Sequence, residues 1–542
     1  MSIPRFPQPL QSRRQFLGHS LAAGAAGMLV LGSSPSRAAD ETSGAIEIGS
    51  RRELFLDDVL IERLDGQATR QLHHPQPKAL ALVHDAPWEG TGSGYHSVFR
   101  DGDKYRMYYK AWHLDAQQGK LNTAAHPLFC CYAESDDGVE WRKPNLQLVE
   151  FDGSKANNIV INSGTVTGPG GGTLNVDAGH PAIFKDENPA ASEDARYKAI
   201  LRSASPNGLL PFKSPDGLHW SPMSDEPILR GLGAFDSQNL AFWDPTIGKY
   251  RAYWRIFTAG KTTDAEWKPA GHRAIRTATS DDLLHWSEPT DLTYADSPSE
   301  QLYTNQIKPY HRAPHLLIGF PTRYVDRGWS ASMEALPELE HRKLRASSTP
   351  RYGTAVTEGL LMSSRDGTHF HRWNEAFLPP GPQRPGSWNY GHQYIAWHLV
   401  ETQSSLPGAD NELSLYAGES YWTGNGSALR RYTLRLDGFA SIRGSMSGGE
   451  VVTRPLTFTG DKLQLNVATS AAGGVRVELQ DPGGTPLAGF SLDDCPEVFG
   501  DTTARTVVWK NGSDVSTLNG QPLRLRFALK DADLYAFQFV DG

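Results

Sequence analysis

Four carboxylates stand at positions where they could take part in acid–base chemistry. Asp177 and Asp236 each precede an apolar run typical of a buried strand, and Glu358 and Glu419 adjoin similar runs. In a pair of carboxyl groups, the protonated one can donate a proton to a leaving group while the ionised one assists the attack. Apolar neighbours would raise the pKa of a Glu and keep it protonated. The alternative for each is a turn-capping or ion-paired carboxylate.

Other polar residues recur at the start of predicted buried strands, although such strands are otherwise apolar. We predict that these side chains line one ligand site. They are Glu89, His96, His180, Asn239, Asn305, Gln306 and His392.

Three of these histidines could hold a metal if they met, because neutral imidazole is a good ligand. The favoured alternative is that His96, His180 and His392 bind substrate or backbone separately. No Cys/His cluster has zinc spacing. We therefore predict neither a metal nor another cofactor.

Two alternating repeats indicate which elements position these residues. The first is a strand, an Asp-Gly-type turn and an aromatic residue; the Asp side chain can bond turn amides, and Gly supplies a positive φ. Its copies are 135–141, 214–220, 280–286 and 364–370. The second is a two-stranded hairpin, found in 97–109, 182–200, 239–254, 306–320 and 392–417.

The alternation of the two repeats predicts an all-β fold, a five-bladed β-propeller over residues 45–440. The fifth copy lacks the Asp-Gly turn and is followed instead by residues 431–439. Inner strands of propeller blades surround a central axis. Residues far apart in the chain would therefore meet at one mouth.

The Ser-x-Asp-Gly-x-x-Trp hairpins and Asp-x-x-x-x-Lys-Tyr-x-x-Tyr turns resemble those of five-bladed propellers in the glycoside hydrolase family 32/43-like superfamily. More narrowly, residues 54–61 and 434–439 resemble segments of exported bacterial proteins labelled family 32 N-terminal-domain-like. The resemblance implies cleavage of glycosidic bonds by a carboxylate pair at the propeller mouth.

The chain differs from family 32 enzymes in the motifs that hold their catalytic residues. Asn-Asp-Pro, Arg-Asp-Pro and Glu-Cys motifs are absent from the matching positions, and His96 stands where the family has Asp. Catalytic roles therefore do not carry over residue by residue, and fructan cleavage is not implied.

A second domain is predicted at 441–542. Apolar residues alternate in 463–467, 475–479 and 523–527, which is typical of strands with one buried face. We expect a β-sandwich, which resembles the sandwich that follows the propeller in family 32 enzymes.

The N-terminus resembles a twin-arginine export signal. Arg13 and Arg14 precede Phe16-Leu17 and an apolar run, and Ser36-Arg37-Ala38 resembles a cleavage site. We predict a signal peptide over 1–39 and a periplasmic or extracellular protein; an uncleaved anchor is the alternative. No other run approaches the length of a membrane span.

The formal net charge of −8 argues against nucleic acid as the main partner, because an acidic surface repels phosphate. We expect a carbohydrate partner. The first hypothesis is an exported glycoside hydrolase acting on a polysaccharide or oligosaccharide. The alternative is a non-catalytic propeller that binds glycan or protein. A sialidase is a weaker third hypothesis. Sialidase Asp-boxes have one more residue between Asp and Gly, and sialidase propellers have six blades.

Overall fold

The computed structural model describes residues 44–203, 205–424 and 426–542, and it is almost entirely β-structure. The predicted signal peptide, 1–39, lies outside the described residues. Among the described residues, no helix combines the length and apolarity needed to cross a bilayer.

The described chain begins with four strands that do not form a sheet of their own. Three of them pair with strands near the C-terminus, and the fourth completes the fifth sheet described below. They are β1 (Ile46–Gly49), β2 (Glu53–Leu54), β3 (Ile61–Leu72) and β4 (Gln76–Val83).

Three sheets of four or five antiparallel strands follow in chain order. Sheet 1 contains β5 (Gly94–Asp101), β6 (Lys104–Ala111), β9 (Phe129–Ser135) and β10 (Ile159–Asn162); β7 (Asp115–Gln117) and β8 (Lys120–Asn122) form a separate hairpin. Sheet 2 contains β11 (Gly164–Thr167), β12 (Thr173–Lys185), β13 (Tyr197–Ser203), β14 (Gly208–Ser214) and β15 (Ser221–Pro222), with a 3-10 turn at Glu193–Ala195. Sheet 3 contains β16 (Leu240–Asp244), β17 (Lys249–Thr262), β18 (Trp267–Ser280) and β19 (Thr290–Asp291).

Sheet 4 carries an insertion with the only α-helices of the described chain. Its strands are β20 (Thr293–Ala295), β21 (Lys308–Tyr310), β22 (Ala313–Gly319), β25 (Met362–Ser364) and β26 (His369–Arg372). The insertion contains β23 (Thr322–Asp326), α1 (Ala331–Glu334), α2 (Leu339–Ala346), α3 (Arg351–Thr354) and β24 (Ala355–Gly359). Sheet 5 contains β27 (Val400–Thr402), β28 (Glu412–Glu419), β29 (Ala428–Arg435) and β4.

The C-terminal strands are long and bend around one apolar core of Val, Leu and Phe side chains. Each long pairing shifts register near its middle, between Thr469 and Gly474 and between Gly444 and Gly449. The strands are β30 (Ala440–Thr453), β31 (Leu456–Phe458), β32 (Lys462–Gln480), β33 (Asp501–Thr506) and β34 (Arg524–Val540), with a 3-10 turn at Ser516–Leu518.

Two sequence expectations need correction here. The predicted strands 463–467 and 475–479 are the two halves of β32, because the bend between them does not end the pairing with β34. Residues 46–72 fall within the range predicted for the propeller, but β1, β2 and β3 pair with β31, β34 and β30. Their buried side chains, such as Phe55, join the C-terminal core.

The Asp-Gly repeat forms the same turn in sheets 1 to 4. In sheet 1, Asp137 Oδ1 accepts hydrogen bonds from the amides of Val139 (2.7 Å) and Glu140 (2.9 Å). Asp216, Asp282 and Asp366 do the same in their sheets. In sheet 3, Leu283 stands in place of Gly and adopts φ 69°.

Tyrosines of one sheet bond the turn of the next. Tyr108 Oη of sheet 1 donates to Gly217 O of sheet 2 (3.1 Å), and Tyr253 Oη of sheet 3 donates to Gly367 O of sheet 4 (2.8 Å). Tyr416 Oη of sheet 5 donates to Gly138 O of sheet 1. The last sheet is thereby attached to the first.

Two buried glutamines, which we call the glutamine pair, connect all five sheets. Gln238, before β16, donates from Nε2 to the carbonyls of Tyr95 in sheet 1 and Pro181 in sheet 2, both at 3.0 Å. Gln306, before β21, donates to Gln238 Oε1 (2.8 Å) and to the carbonyl of Ile395 (2.9 Å), which adjoins sheet 5. These contacts hold the inner edges of the five sheets together.

We predict that Gln238→Met lowers the free energy of unfolding by about 2–5 kcal/mol, because two buried carbonyls and Gln306 lose a partner without loss of volume. The exposed Gln118 provides the matched control, Gln118→Met. Urea denaturation followed by tryptophan fluorescence measures both. Equal stability of the two variants would show that the glutamine pair does not hold the sheets.

Candidate functional site

Asp177, His180 and Asp236 come together from two adjacent sheets. Asp177 and His180 lie on β12, and Asp236 lies in the loop that leads into β16. Asp177 Oδ2 accepts from His180 Nδ1 (2.9 Å) and from Arg202 Nη1 on β13 (3.2 Å). The charges of His180 and Arg202 also act on Asp236, which is ion-paired with Arg255 of β17.

Both aspartates are held in the ionised form. Burial alone would raise the pKa of Asp177, but His180 and Arg202 bring it well below the usual value. Burial likewise opposes ionisation of Asp236, and Arg255 lowers its pKa. The Asp236 side chain is 41% exposed and that of Asp177 11%, so Asp236 is the more open of the two.

The basic residues at this site occupy one repeated position that the sequence analysis missed. Each stands five residues after the Tyr of a Lys-Tyr or Arg-Tyr pair, on β6, β13 and β17 respectively. Superposing the repeats would have revealed this recurrence of charge. The residues are Lys110 after Tyr105, Arg202 after Tyr197 and Arg255 after Tyr250.

Aromatic side chains surround these charged groups. The ring of Tyr95 lies 5.7 Å from that of His180, tilted by 37°, and the ring of Tyr303 lies 4.8 Å from the Arg255 guanidinium. Most members of this aromatic cluster are buried and contact one another. The cluster comprises Tyr95, Trp112, Tyr303, Tyr324, Tyr352, Tyr390, Tyr394, Tyr421 and Trp422.

Lys110 is buried within this cluster. Its ammonium lies over the rings of Tyr95 (4.4 Å) and Trp112 (4.7 Å) and donates to Tyr421 Oη (3.1 Å). Burial lowers the pKa of Lys110 to about 7, although the charge of Asp177 opposes the shift.

Tyr303 is the one tyrosine of the cluster whose pKa is lowered. Burial would raise the pKa, but the positive charge of Arg255 outweighs it, and Arg273 adds to the effect. Arg273 lies 5.3 Å from the Tyr303 ring and 4.8 Å from that of Tyr324.

The other two predicted carboxylates lie in separate ion-pair networks. Glu358 accepts from Arg323 Nε (2.8 Å). Glu419 is paired with Arg384 and with Arg430 Nη2 (2.9 Å). Burial would raise the pKa of Glu419, but Arg430 and Arg384 bring it below the usual value.

Of the residues predicted to bind substrate, the structure places His180 with the aspartates. Glu89 accepts from Tyr109 Oη (2.5 Å) and Lys143 Nζ (2.6 Å), and Asn239 donates to Phe235 O (2.9 Å) and Ser237 O (2.7 Å). The side chain of Asn305 accepts from the Ile307 amide (3.4 Å). Gln306 belongs to the glutamine pair.

The three histidines considered for a metal have different partners. His96 Nε2 lies 3.1 Å from His84 Nε2, and His392 Nδ1 accepts from the Trp388 amide (3.0 Å). In the part of the chain that the structure describes, no three His, Cys, Asp or Glu side chains are arranged to hold a metal ion.

A cavity of about 450 Å³ lies at the other end of the inner strands. It is lined by residues at or beyond the ends of β5, β12 and β16, among them Arg100, Glu187 and Pro245, and by Lys308 and His398. Asp177, Asp236 and Tyr95 stand toward the opposite ends of these strands. The glutamine pair lies between the two regions, because Gln306 also lines the cavity.

No protein-family model matches the chain, and no curated protein matches it significantly. Similar solved structures include a thermostable family 43 glycoside hydrolase (13% identity, 67% of this chain and 96% of that one, TM-score 0.39). An exo-inulinase from Aspergillus awamori (11%, 86% and 99%, TM-score 0.37) is another, as is an N-acetylgalactosamine deacetylase from F. plautii with blood group B trisaccharide (12%, 66% and 94%, TM-score 0.40).

We predict that the low pKa of Lys110 appears in the pH dependence of stability. As the pH rises from 7 to 9, the folded chain loses from this lysine a proton that the unfolded chain keeps. The free energy of unfolding of the wild type should therefore rise relative to Lys110→Met by about 1.4 kcal/mol per pH unit. Denaturant titrations at pH 7, 8 and 9 measure the difference. A difference independent of pH would mean that Lys110 stays charged when folded.

Proposed function

We propose that this chain is an exported glycoside hydrolase that cleaves a polysaccharide or oligosaccharide at the Asp177–Asp236 site. In this proposal the five sheets are the blades of a propeller, and the bent C-terminal strands are the two layers of a β-sandwich. The chain order of the sheets, the contact from sheet 5 to sheet 1 and the glutamine pair support the propeller. The mid-strand register shifts around one core support the sandwich.

The observation that carries the activity is the meeting of Asp177, His180 and Asp236 beside the aromatic cluster. Two ionisable groups from different sheets with different exposure can take different roles at one bond. Aromatic rings with a few polar groups are typical of small-molecule and sugar sites.

The geometry favours a distinct role for each group. Asp236 is ionised and accessible, which suits the base or nucleophile of glycoside hydrolysis. Asp177 is ionised and bonded to His180 Nδ1, so it orients the imidazole. His180 can then donate a proton to the leaving oxygen, and Asp177 acts as the positioning residue.

A second candidate function is glycan binding without catalysis. The observation in its favour is that Asp177, Asp236 and Glu419 are all ion-paired, with pKa values below their usual range. None of these three carboxyls is therefore protonated at neutral pH as hydrolysis by two carboxyl groups requires.

We predict that Asp236→Asn and His180→Gln lower turnover by about a thousandfold while the ligand still binds, because each removes one proton-transfer or attacking group. Asp194→Asn, at an exposed position beside sheet 2, is the control and should retain activity. The measurement is reducing-end release from a glycan panel, with binding followed by calorimetry. If the wild type binds a glycan but releases no reducing ends, the result would favour glycan binding without catalysis.

We predict that export depends on the arginine pair. Arg13→Lys with Arg14→Lys should leave the precursor uncleaved in the cytoplasm, because the twin-arginine pathway reads both guanidinium groups. Cell fractionation and the mass of the N-terminus measure the outcome. A double variant that is exported and cleaved normally would exclude this route.

A further inference from the structure

The site at the aromatic cluster holds more positive than negative charge. Two of its cations are neutralised, Arg202 by Asp177 and Arg255 by Asp236. Two more, Arg273 and Arg351, lie against the rings of the cluster. In the described ranges neither of them forms an ion pair with a carboxylate.

Arg273 is the clearer of the two. Its guanidinium contacts the rings of both Tyr303 and Tyr324, and its Nη1 donates to Gln301 Oε1 (2.9 Å). Its Nε is buried without a hydrogen-bond partner among the described residues. Cation–π contacts give an Arg modest stabilisation, whereas a carboxylate can accept two hydrogen bonds from the same planar group.

Arg351 is the second of these cations. Arg351 bonds only tyrosine hydroxyls among the described residues, Tyr324 Oη (3.4 Å) and Tyr352 Oη (3.2 Å). A buried charge without a counter-ion is costly, and a bound anion would remove that cost.

Two arginines of α2 add to the positive potential. Arg342 bonds the carbonyls of Trp388 (2.8 Å) and Pro337 (2.8 Å), and Arg345 bonds the carbonyl of Trp422. Both are fully buried, and neither is ion-paired in the described part of the chain. This cationic region lies on a chain whose formal net charge is −8. The contrast indicates that the local charge serves a ligand.

We propose that the site recognises a glycan containing a uronic acid, with the sugar carboxylate bound by Arg273 and Arg351. This inference rests on the proposed function, because it names the substrate class of the same site. The planar guanidinium groups match a carboxylate, which each can bond through two N–H groups.

The test is calorimetric binding of oligouronates from pectate, alginate and hyaluronan, each compared with its carboxyl-reduced derivative. At least one acidic oligosaccharide should bind about tenfold or more tightly than its reduced form. Arg273→Gln and Arg351→Gln should each remove most of that preference, and Arg273→Lys should retain part of it.

Arg276→Gln provides the control on the same strand. Arg276 pairs with Asp291 (2.5 Å), away from the cluster, and its replacement should leave the preference unchanged. Thermal denaturation identifies any variant that fails to fold. Equal affinity for acidic and reduced forms in all three pairs, or the same effect of Arg273→Gln and Arg276→Gln, would overturn the inference.

The same panel separates this inference from the proposed function. Cleavage of neutral glycans without preference for acidic ones would support the hydrolase and refute the inference. Preferential binding of a uronate without release of reducing ends would support the inference and refute the hydrolase.

Discussion

The fold depends on the hydrogen bonds of the glutamine pair at the inner edges of the sheets. The carbonyls of Tyr95, Pro181 and Ile395 face the glutamine pair, whose side chains are buried. Gln238 and Gln306 donate hydrogen bonds to backbone carbonyls of three sheets and bond each other. Their two side-chain amides thus form one connected set of hydrogen bonds. Unsatisfied carbonyls there would be costly, which explains why two buried positions, just before β16 and β21, hold polar residues.

This interior arrangement separates two regions of different chemistry. At one end, Tyr, Arg and Asp side chains form the candidate site. At the other end, an open cavity is lined by Lys308, His398 and residues beyond the inner strands. The charged groups of the candidate site are brought together by β-strand register: Arg202 lies directly opposite Asp177 in the pairing of β12 with β13. Its electrostatics thus follow from the same ladders that form the sheets.

Sequence reasoning found the repeats because they carry strong local signals. The Asp of each turn bonds nearby amides, so its spacing from Ser and Gly is fixed over a few residues. The pairing of β3 with β30 was not accessible in this way, because it joins segments some four hundred residues apart with no local signature.

The site was predictable only in part. Asp177, Asp236 and His180 were selected for their place before apolar strands, and the structure brings them together. Glu358 and Glu419 had the same local pattern, and only long-range contacts with Arg323, Arg384 and Arg430 distinguish them. The basic residues were missed because a lone Lys or Arg in a strand normally suggests an exposed face. Glu89, Asn239 and Gln306 were predicted to bind substrate, but their polar groups form hydrogen bonds with other side chains and with the backbone.

A crystal structure of the Asp236→Asn variant with a bound uronate oligosaccharide tests the central claim most directly. We expect the sugar beside Asp177 and His180, with its carboxylate within hydrogen-bond distance of Arg273 or Arg351 and a ring against Tyr303 or Tyr324. A ligand bound instead in the cavity lined by Lys308 and His398, with the aromatic cluster empty, would contradict the account.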